Sequence, residues 1–284
     1  MGTENKRSLA RMLGVSRSSL YYAPKRPAHD WALKVAMEQI LREHPSYGHR
    51  RLALALGVNK KRTKRVMKLF GIQPYRRRGK RWKKPVEKPD HIVANLLLTT
   101  EPQYPHHIWV TDFTHVDWKG KRLFIATMMD LFTRTVTGFA VLTNHSVHLV
   151  IGSLFSAVHK HPSPDILHSD RGSEYTGKDM RMLLQSLGVR QSMSHAGCPW
   201  ENGYQESFYS QFKVDLGDPS RFSSLGELVY EIYRCIFLYN TSRIHTALKM
   251  PPETFHHMYV ARASGTRNEK SASQFDLHSC VLRV

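Results

Sequence analysis

Residues 107–142 read HIWVTDFTHVDWKGKRLFIATMMDLFTRTVTGFAVL. This stretch contains three segments rich in Val, Ile, Phe, Thr and Trp, which are residue types that favour β-strands, and short turns separate the segments. The pattern predicts a meander of three antiparallel strands. The segments cover residues 107–116, 122–129 and 134–142, and the turns cover residues 117–120 and 131–133.

Helix and strand patterns alternate downstream of the meander. Short apolar segments are typical of buried strands, and longer segments with a period near 3.6 residues are typical of helices. Three antiparallel strands followed by helix, strand, helix and strand predict an α/β fold, in which a five-stranded mixed sheet carries helices on both faces. The two further strands are predicted at 165–168 and 189–192, and the helices at 146–159, 178–187, 201–216 and 224–240.

The charge of the chain is strongly positive and unevenly distributed. Its 42 Lys and Arg outnumber its 23 Asp and Glu, so the formal net charge of the 284 residues is +19. Residues 1–90 carry +18 of this excess. The balance argues against a typical cytosolic metabolic enzyme and favours nucleic acid as the partner of a basic N-terminal module. A merely solvated surface is the alternative, but it would not concentrate the charge in one third of the chain.

Composition also bears on the compartment. No apolar run approaches the roughly 20 residues that span a bilayer, and residues 1–13 lack the apolar core of a signal peptide. Cys198, Cys235 and Cys280 are far apart and form no C-x-x-C pair. Their spacing argues against a disulfide framework and against a structural zinc site. We therefore expect a cytoplasmic protein with no membrane partner.

Two segments of the basic module have the pattern of a helix-turn-helix. The strings LGVS at 13–16 and LGVN at 56–59 each separate two predicted helices, of which 50–56 and 60–70 form the second unit. The second unit has one predicted apolar face, formed by Leu52, Leu56, Val66, Leu69 and Phe70. Its basic residues are candidates for contacts with DNA phosphates, although a solvated helical hairpin is the alternative. These candidates are Lys60, Lys61, Arg62, Lys64 and Arg65.

A basic linker follows the helical module. Residues 74–89 read PYRRRGKRWKKPVEKP and contain eight Lys and Arg between prolines and a glycine, a composition that predicts an extended segment along a phosphate backbone. Trp82 either stacks on a base or packs against the next domain. The candidate DNA-binding residues of the linker are Arg76, Arg77, Arg78, Arg81, Lys83 and Lys84.

Three acidic residues stand out by their positions. Asp112 lies inside an apolar strand, Asp170 closes the strand DILHSD, and Glu206 lies in the helix predicted at 201–216. A carboxylate in such a strand is costly unless it is paired or binds a cation. Converging carboxylates repel one another, and Mg²⁺ or Mn²⁺ relieves the repulsion because both prefer oxygen ligands. Singly, each acid has a structural alternative: a turn partner, a loop cap or a helix ion pair.

The motifs around these acids resemble a known family. WVTDFTHV around Asp112, LHSDRGSEY around Asp170 and GCPWENGYQESFYSQFK around Glu206 are similar to those of retroviral-integrase-like DDE transposases, in particular the OrfB-type transposases of the group named after insertion sequence 3. The 35 residues between Asp170 and Glu206 match the family spacing. YGHRRLALAL at 47–56 and NTSRIHTALKMPPETF at 240–255 resemble the helix-turn-helix region and the closing motif. The resemblance covers roughly residues 8–256.

This resemblance implies an RNase H-like catalytic core that cleaves the ends of an insertion element and joins a 3′ hydroxyl to new DNA. It implies that Asp112, Asp170 and Glu206 are the catalytic residues and hold two Mg²⁺ ions, with Mn²⁺ as a substitute. Lys213, two helical turns after Glu206, is expected to hold DNA. Asn202 and Arg171 are second-tier candidates for DNA contact, and a helix-capping role is the alternative for Asn202.

The resemblance also implies partners and a domain order. The expected partners are double-stranded DNA at element ends and target, further copies of the chain on DNA, and an upstream OrfA-type protein or fusion. The rival functions are a domesticated DNA-binding regulator without cleavage activity and an RNase H-type ribonuclease. The expected domains are a helix-turn-helix region at 1–73, a basic linker at 74–100, the catalytic core at 101–260 and a tail at 261–284.

Overall fold

A computed structural model describes residues 6–21, 26–75, 93–195 and 198–264 of the chain. The sheet consists of β1 Ile108–Trp118, β2 Lys121–Asp130, β3 Val136–Leu142, β4 Ile166–Ser169 and β5 Arg190–Met193. The helices are α1 Lys6–Met12, α2 Arg26–Glu43, α3 His49–Ala55, α4 Lys60–Leu69, α5 Val147–Val158, α6 Ser173–Thr176, α7 Lys178–Ser186, α8 Gly203–Leu216, α9 Leu225–Thr241 and α10 Pro252–Ala263.

The five strands form one mixed sheet in the order β3-β2-β1-β4-β5. β1 pairs antiparallel with β2 and parallel with β4, while β2 pairs antiparallel with β3 and β4 parallel with β5. The predicted meander is therefore confirmed. The first turn is shorter than predicted, because Lys119 and Gly120 both have positive φ and form a two-residue hairpin loop.

Alternating side chains of β1 feed two separate apolar cores. Ile108 and Val110 pack with α8 and α9 on one face, and Trp109 packs with α5 and α7 on the other. Each face of the sheet is therefore covered by helices, which confirms the predicted α/β class. A 3₁₀ turn at Leu96–Leu98 also packs here, since the backbone N–H of Leu96 donates to Ser192 Oγ on β5 at 2.9 Å.

The N-terminal region is helical, as predicted. α3 and α4 pack with α2 around Leu52, Val66 and Met37, and Asn59 caps α4 by accepting from the N–H of Lys61 at 2.8 Å. One expectation was wrong, because Leu69 is 60% exposed and faces away from this core. The short helix predicted after the string LGVS is present as a 3₁₀ helix at residues 17–21.

Three helices were missed at the sequence level: α2, the single turn α6, and α10. α10 carries Phe255, which is fully buried against Phe132 and Leu248 in a small core of its own. The chain therefore remains folded to at least Ala263. In the part of the chain that the structure describes, no helix is both long and apolar enough to cross a membrane.

Candidate active site

The strand register brings Asp112 and Asp170 together. β1 and β4 are parallel neighbours whose last pair is Val110 with His168, so Asp112 and Asp170 each stand two positions beyond that pair along chains that run in the same direction. Neighbouring strands lie about 4.8 Å apart. Burial, and then the negative charge of Asp170, raises the pKa of Asp112 to about 7. The two carboxyl groups are thus coupled at the point where β4 ends.

Two polar side chains tie α8 to β1 beside this pair. Gln205, which is fully buried, donates from Nε2 to the carbonyl oxygen of Val110 at 2.8 Å. The hydroxyl of Tyr209 donates to the carbonyl oxygen of Asp112 at 2.6 Å and lies 2.9 Å from Thr127 Oγ1. These hydrogen bonds fix α8 against the strand that carries Asp112.

Glu206 lies on this tied helix and is exposed. Its charge contributes to the raised pKa of Asp112, and partial burial raises the pKa of Glu206 itself. Lys213, two turns further along α8, acts in the opposite direction and lowers the pKa of both Asp112 and Asp117. The structure therefore places Asp112, Asp170, Glu206 and Lys213 in one electrostatic neighbourhood.

The carboxylates of this neighbourhood are the kind of ligand that an oxygen-preferring cation takes. Their side chains, however, are not grouped as a three-ligand site in the structure. Within the described ranges, no three His, Cys, Asp or Glu side chains are grouped closely enough to hold a metal ion together. Asp112 and Asp170 form the fixed pair, while Glu206 is an exposed side chain with several rotatable bonds.

The loop after Asp170 is held by its own hydrogen bonds. The N–H of Gly172 donates to Asp170 Oδ1 at 3.0 Å, which is the loop-capping contact expected as the structural alternative for Asp170. Arg171 donates from Nε to the carbonyl oxygen of Ser194 at 2.8 Å and so ties the loop to the end of β5.

Asn202 is buried, with 5% of its surface exposed, directly before α8. It donates from Nδ2 to the carbonyl oxygen of Thr111 at 3.4 Å and makes no capping hydrogen bond to α8. Its Oδ1 atom is buried and has no hydrogen-bond partner among the described residues. The structure thus places Asn202 beside the Asp112 strand but away from solvent.

The basic face of α4 divides into two groups. Lys60, Lys61 and Lys64 are exposed. Arg65 instead forms two hydrogen bonds of 2.7 and 2.8 Å with the buried carboxylate of Asp30. Arg62 also contacts the α2 region, because it donates to the carbonyl oxygen of His29 at 3.3 Å. The linker candidates lie outside the described residues: Arg76, Arg77, Arg78, Arg81, Lys83 and Lys84.

Sequence reasoning missed Gln205 and Tyr209. They stand four residues apart on α8, so they share one face of the helix, and that face is buried against the sheet. Two polar residues at this spacing on an otherwise apolar helix face were the available signal. Their partners are backbone carbonyls of a strand about 95 residues earlier, which no local pattern identifies.

Comparison with known proteins identifies the family. Residues 102–199 and 187–252 match two integrase core domain families, and these matches together span all five strands and α8. The chain is 30% identical over 234 residues to the transposase for insertion sequence element IS904 of Lactococcus lactis, covering 76% of this chain and 89% of the relative. The chain belongs to the IS3-type transposases of bacterial insertion sequences.

Two further relatives are also proteins of bacterial insertion elements. An insertion element IS600 protein of Shigella sonnei is 30% identical over 275 residues, which is 90% of this chain and all of the relative. The putative transposase InsK for IS150 of Escherichia coli is 28% identical over 274 residues, which is 89% of this chain and 94% of the relative. The resemblance stated from the motifs is confirmed, and the sheet belongs to the expected integrase core domain.

Proposed function

We propose that this transposase cleaves DNA at the ends of its insertion element and joins the resulting 3′ hydroxyl to target DNA. One observation carries the proposal: Asp112 and Asp170 are coupled on neighbouring parallel strands, and the helix bearing Glu206 is hydrogen-bonded to Asp112's own carbonyl. Because the chain belongs to a family of transposases, polynucleotidyl transfer is the reaction that we propose for these three carboxylates.

The three carboxylates are the proposed ligands of two Mg²⁺ ions, for which Mn²⁺ is a substitute. Carboxylate oxygens are the donors that these cations prefer. Burial, and then the negative charge of Asp170, raises the pKa of Asp112 to about 7, and a bound cation would offset both effects. When bound, the two metal ions would activate the attacking oxygen and stabilise the leaving oxygen of a phosphoryl transfer. Asp112 and Asp170 provide a fixed base for this site, and Glu206 closes it.

The chain's basic residues hold the DNA. Lys213 lies on the same helix as Glu206 and within electrostatic reach of Asp112, so we assign it to a phosphate near the reacting bond. The exposed lysines of α4, namely Lys60, Lys61 and Lys64, are assigned to the element end, together with the basic linker. Arg171 stabilises the loop after Asp170. DNA of both element and target, further copies of the chain, and an OrfA-type protein are the proposed partners.

A strand-cleavage and joining assay tests the proposal. The substrate is duplex DNA from the borders of the element, with Mg²⁺ or Mn²⁺, and the variants are Asp112→Asn, Asp170→Asn and Glu206→Gln. Each variant is expected to lose nicking and joining by more than 100-fold, since each removes a proposed metal ligand, while its Kd for the DNA stays within twofold of wild type. Asp179→Asn, an exposed carboxylate on α7, is the matched control.

The other outcomes separate the rival functions. Collapse of DNA binding in the three variants would show that the acids are structural. Tight DNA binding by an inactive wild type, with and without an OrfA-type protein, would favour a domesticated regulator. Cleavage confined to the RNA strand of an RNA–DNA hybrid would favour a ribonuclease.

A further inference from the structure

The helical module, which consists of α2, α3 and α4, packs onto the integrase core through a set of buried polar contacts, here called the seam. The seam joins residues 44–51, which lead from α2 into α3, to the second half of α8 and to the loop after α9, residues 242–244. The two motifs at 47–56 and 240–255 therefore meet in space, although almost 200 residues separate them in the chain.

Arg243 is the centre of the seam. It is 3% exposed, and its guanidinium group forms an ion pair with Asp215 on α8. The same group donates to Ser46 Oγ at 2.8 Å and to Gln211 Oε1 at 2.5 Å, and it lies over the ring of Tyr47. One buried side chain thus contacts the helical module and the Glu206 helix at once.

Further contacts surround Arg243. The backbone N–H of Ile244 donates to the hydroxyl of Tyr47 at 2.6 Å, and Ser242 Oγ lies 3.3 Å from His44 Nε2. The Ile244 side chain packs against the α2–α4 core. Burial and the charges of Arg243 and Arg51 lower the pKa of His44 to about 4, so no third positive charge enters the seam at neutral pH.

The seam acts on the helix that carries Glu206. Gln211 and Asp215 follow Glu206 on α8 by five and nine residues, or about 7.5 and 13.5 Å at 1.5 Å per residue. The first half of α8 is tied to β1 through Gln205 and Tyr209. α8 is therefore held at one end by the sheet and at the other by the helical module.

The geometry points to Arg243 as a positioning residue that couples the DNA-binding helices to the Glu206 helix within one chain. α4 is joined rigidly to α3 through the buried Leu52 and Val66, so a docked module presents its lysines at a fixed place relative to the carboxylates. The coupling rests on the proposed function, but the docking does not. Arg243 is too buried to contact DNA, and its loss is expected to slow joining without weakening DNA binding.

Hydrogen exchange on the full chain tests the docking without DNA or metal. In Arg243→Gln, backbone amides in peptides covering 44–52 and 242–246 are expected to exchange at least tenfold faster, while a peptide covering β1 stays at the wild-type rate. Arg181→Gln, an exposed arginine on α7, is the matched control. Tyr47→Phe removes only the acceptor of the Ile244 N–H and gives the same local result if Arg243→Gln fails to fold.

Joining kinetics test the coupling. At saturating DNA the Arg243→Gln rate is expected to fall at least tenfold, with the Kd for DNA within twofold of wild type, and Arg243→Lys is expected to recover part of the rate through Asp215. Unchanged exchange at the seam in both Arg243→Gln and Tyr47→Phe would overturn the docking. A parallel loss of affinity and rate would overturn the coupling. An inactive wild type with the expected exchange pattern would overturn the proposed function and the coupling while the docking stands.

Discussion

Removing a single oxygen atom, in Tyr209→Phe, tests whether α8 is held in register by its hydrogen bonds. The hydroxyl of Tyr209 is buried and donates to the carbonyl oxygen of Asp112 at 2.6 Å, and the hydroxyl of Thr127 lies 2.9 Å away. Phenylalanine fills the same space, so the substitution creates no cavity that would lower the free energy of unfolding further. The variant loses the hydrogen bond to the Asp112 carbonyl oxygen and the one shared with Thr127 Oγ1, and it leaves that buried carbonyl oxygen with one partner fewer.

The magnitude follows from these contacts. An intramolecular hydrogen bond contributes about 1 kcal/mol, and leaving a buried partner unsatisfied costs about 1–3 kcal/mol. We expect the free energy of unfolding to fall by about 2 kcal/mol, which lowers Tm by about 4–8 °C in a domain of this size. A displacement of about 1 Å at a reacting group costs up to about 100-fold in rate. The joining rate is therefore expected to fall by about 10- to 100-fold at temperatures where the variant is fully folded.

Calorimetry and single-turnover joining measure the two effects separately. Tyr230→Phe is the matched control, because this hydroxyl belongs to a side chain on α9 that is 69% exposed, and both Tm and rate should stay at wild-type values. A wild-type Tm in Tyr209→Phe would show that the hydrogen bond to the Asp112 carbonyl contributes nothing to the stability of the fold. A lowered Tm with a wild-type joining rate would show that this tie stabilises the fold without positioning Glu206.

Three further predictions concern the fold, DNA binding and pH. In Gly138→Ala the new Cβ would lie 2.4 and 2.6 Å from backbone atoms of α5, so we expect a loss of about 3 kcal/mol in urea denaturation, whereas Gly152→Ala, with its nearest contact at 3.4 Å, should be neutral or stabilising. Lys64→Gln should reduce the slope of log K against log salt concentration by about 0.9 in DNA titrations. Arg65→Gln should instead lower the free energy of unfolding, because it leaves the buried carboxylate of Asp30 on α2 without its ion-pair partner. His44 is neutral when folded, with a pKa of about 4, so the unfolded chain takes up a proton first as pH falls below about 6.5. The contribution of His44 to stability should fall by up to about 1.4 kcal/mol per pH unit between 6.5 and 4, so denaturation midpoints of His44→Gln should show a shallower dependence on pH than those of wild type.

The helical module shows where local sequence patterns reach their limit. α3 and α4 could be predicted because a turn and a cap separate two short amphipathic segments. α2 was missed, although its buried Leu33 and Met37 stand four residues apart, because Trp31 and Val35 are exposed apolar residues that blur the pattern. Arg65 was assigned to DNA from its charge alone. Its bidentate contact with Asp30 depends on the packing of α4 against α2, which no local sequence pattern predicts.

The acids of the site were predictable for a different reason. Asp112 lies inside β1 and Asp170 directly follows β4, both within motifs of strong family resemblance, and a parallel β1–β4 pair then places them near each other. The side chains that hold α8 and the seam were not predictable. Tyr209 and Arg243 act on partners 97 and 197 residues away, so their roles appear only when the register between elements is known.

That register explains why the buried face of α8 carries polar side chains. Gln205 and Tyr209 are four residues apart, about 6 Å along a helix, and their acceptors on Val110 and Asp112 are two residues apart, about 6.7 Å along a strand. Carbonyls two residues apart on a strand point in the same direction, so the two bonds form together only when α8 runs along β1 at one offset. Apolar side chains would bury the same surface but would tolerate sliding. The hydrogen bonds remove that freedom, and the position of Glu206 relative to Asp112 is thereby set by the backbone of the strand that carries Asp112.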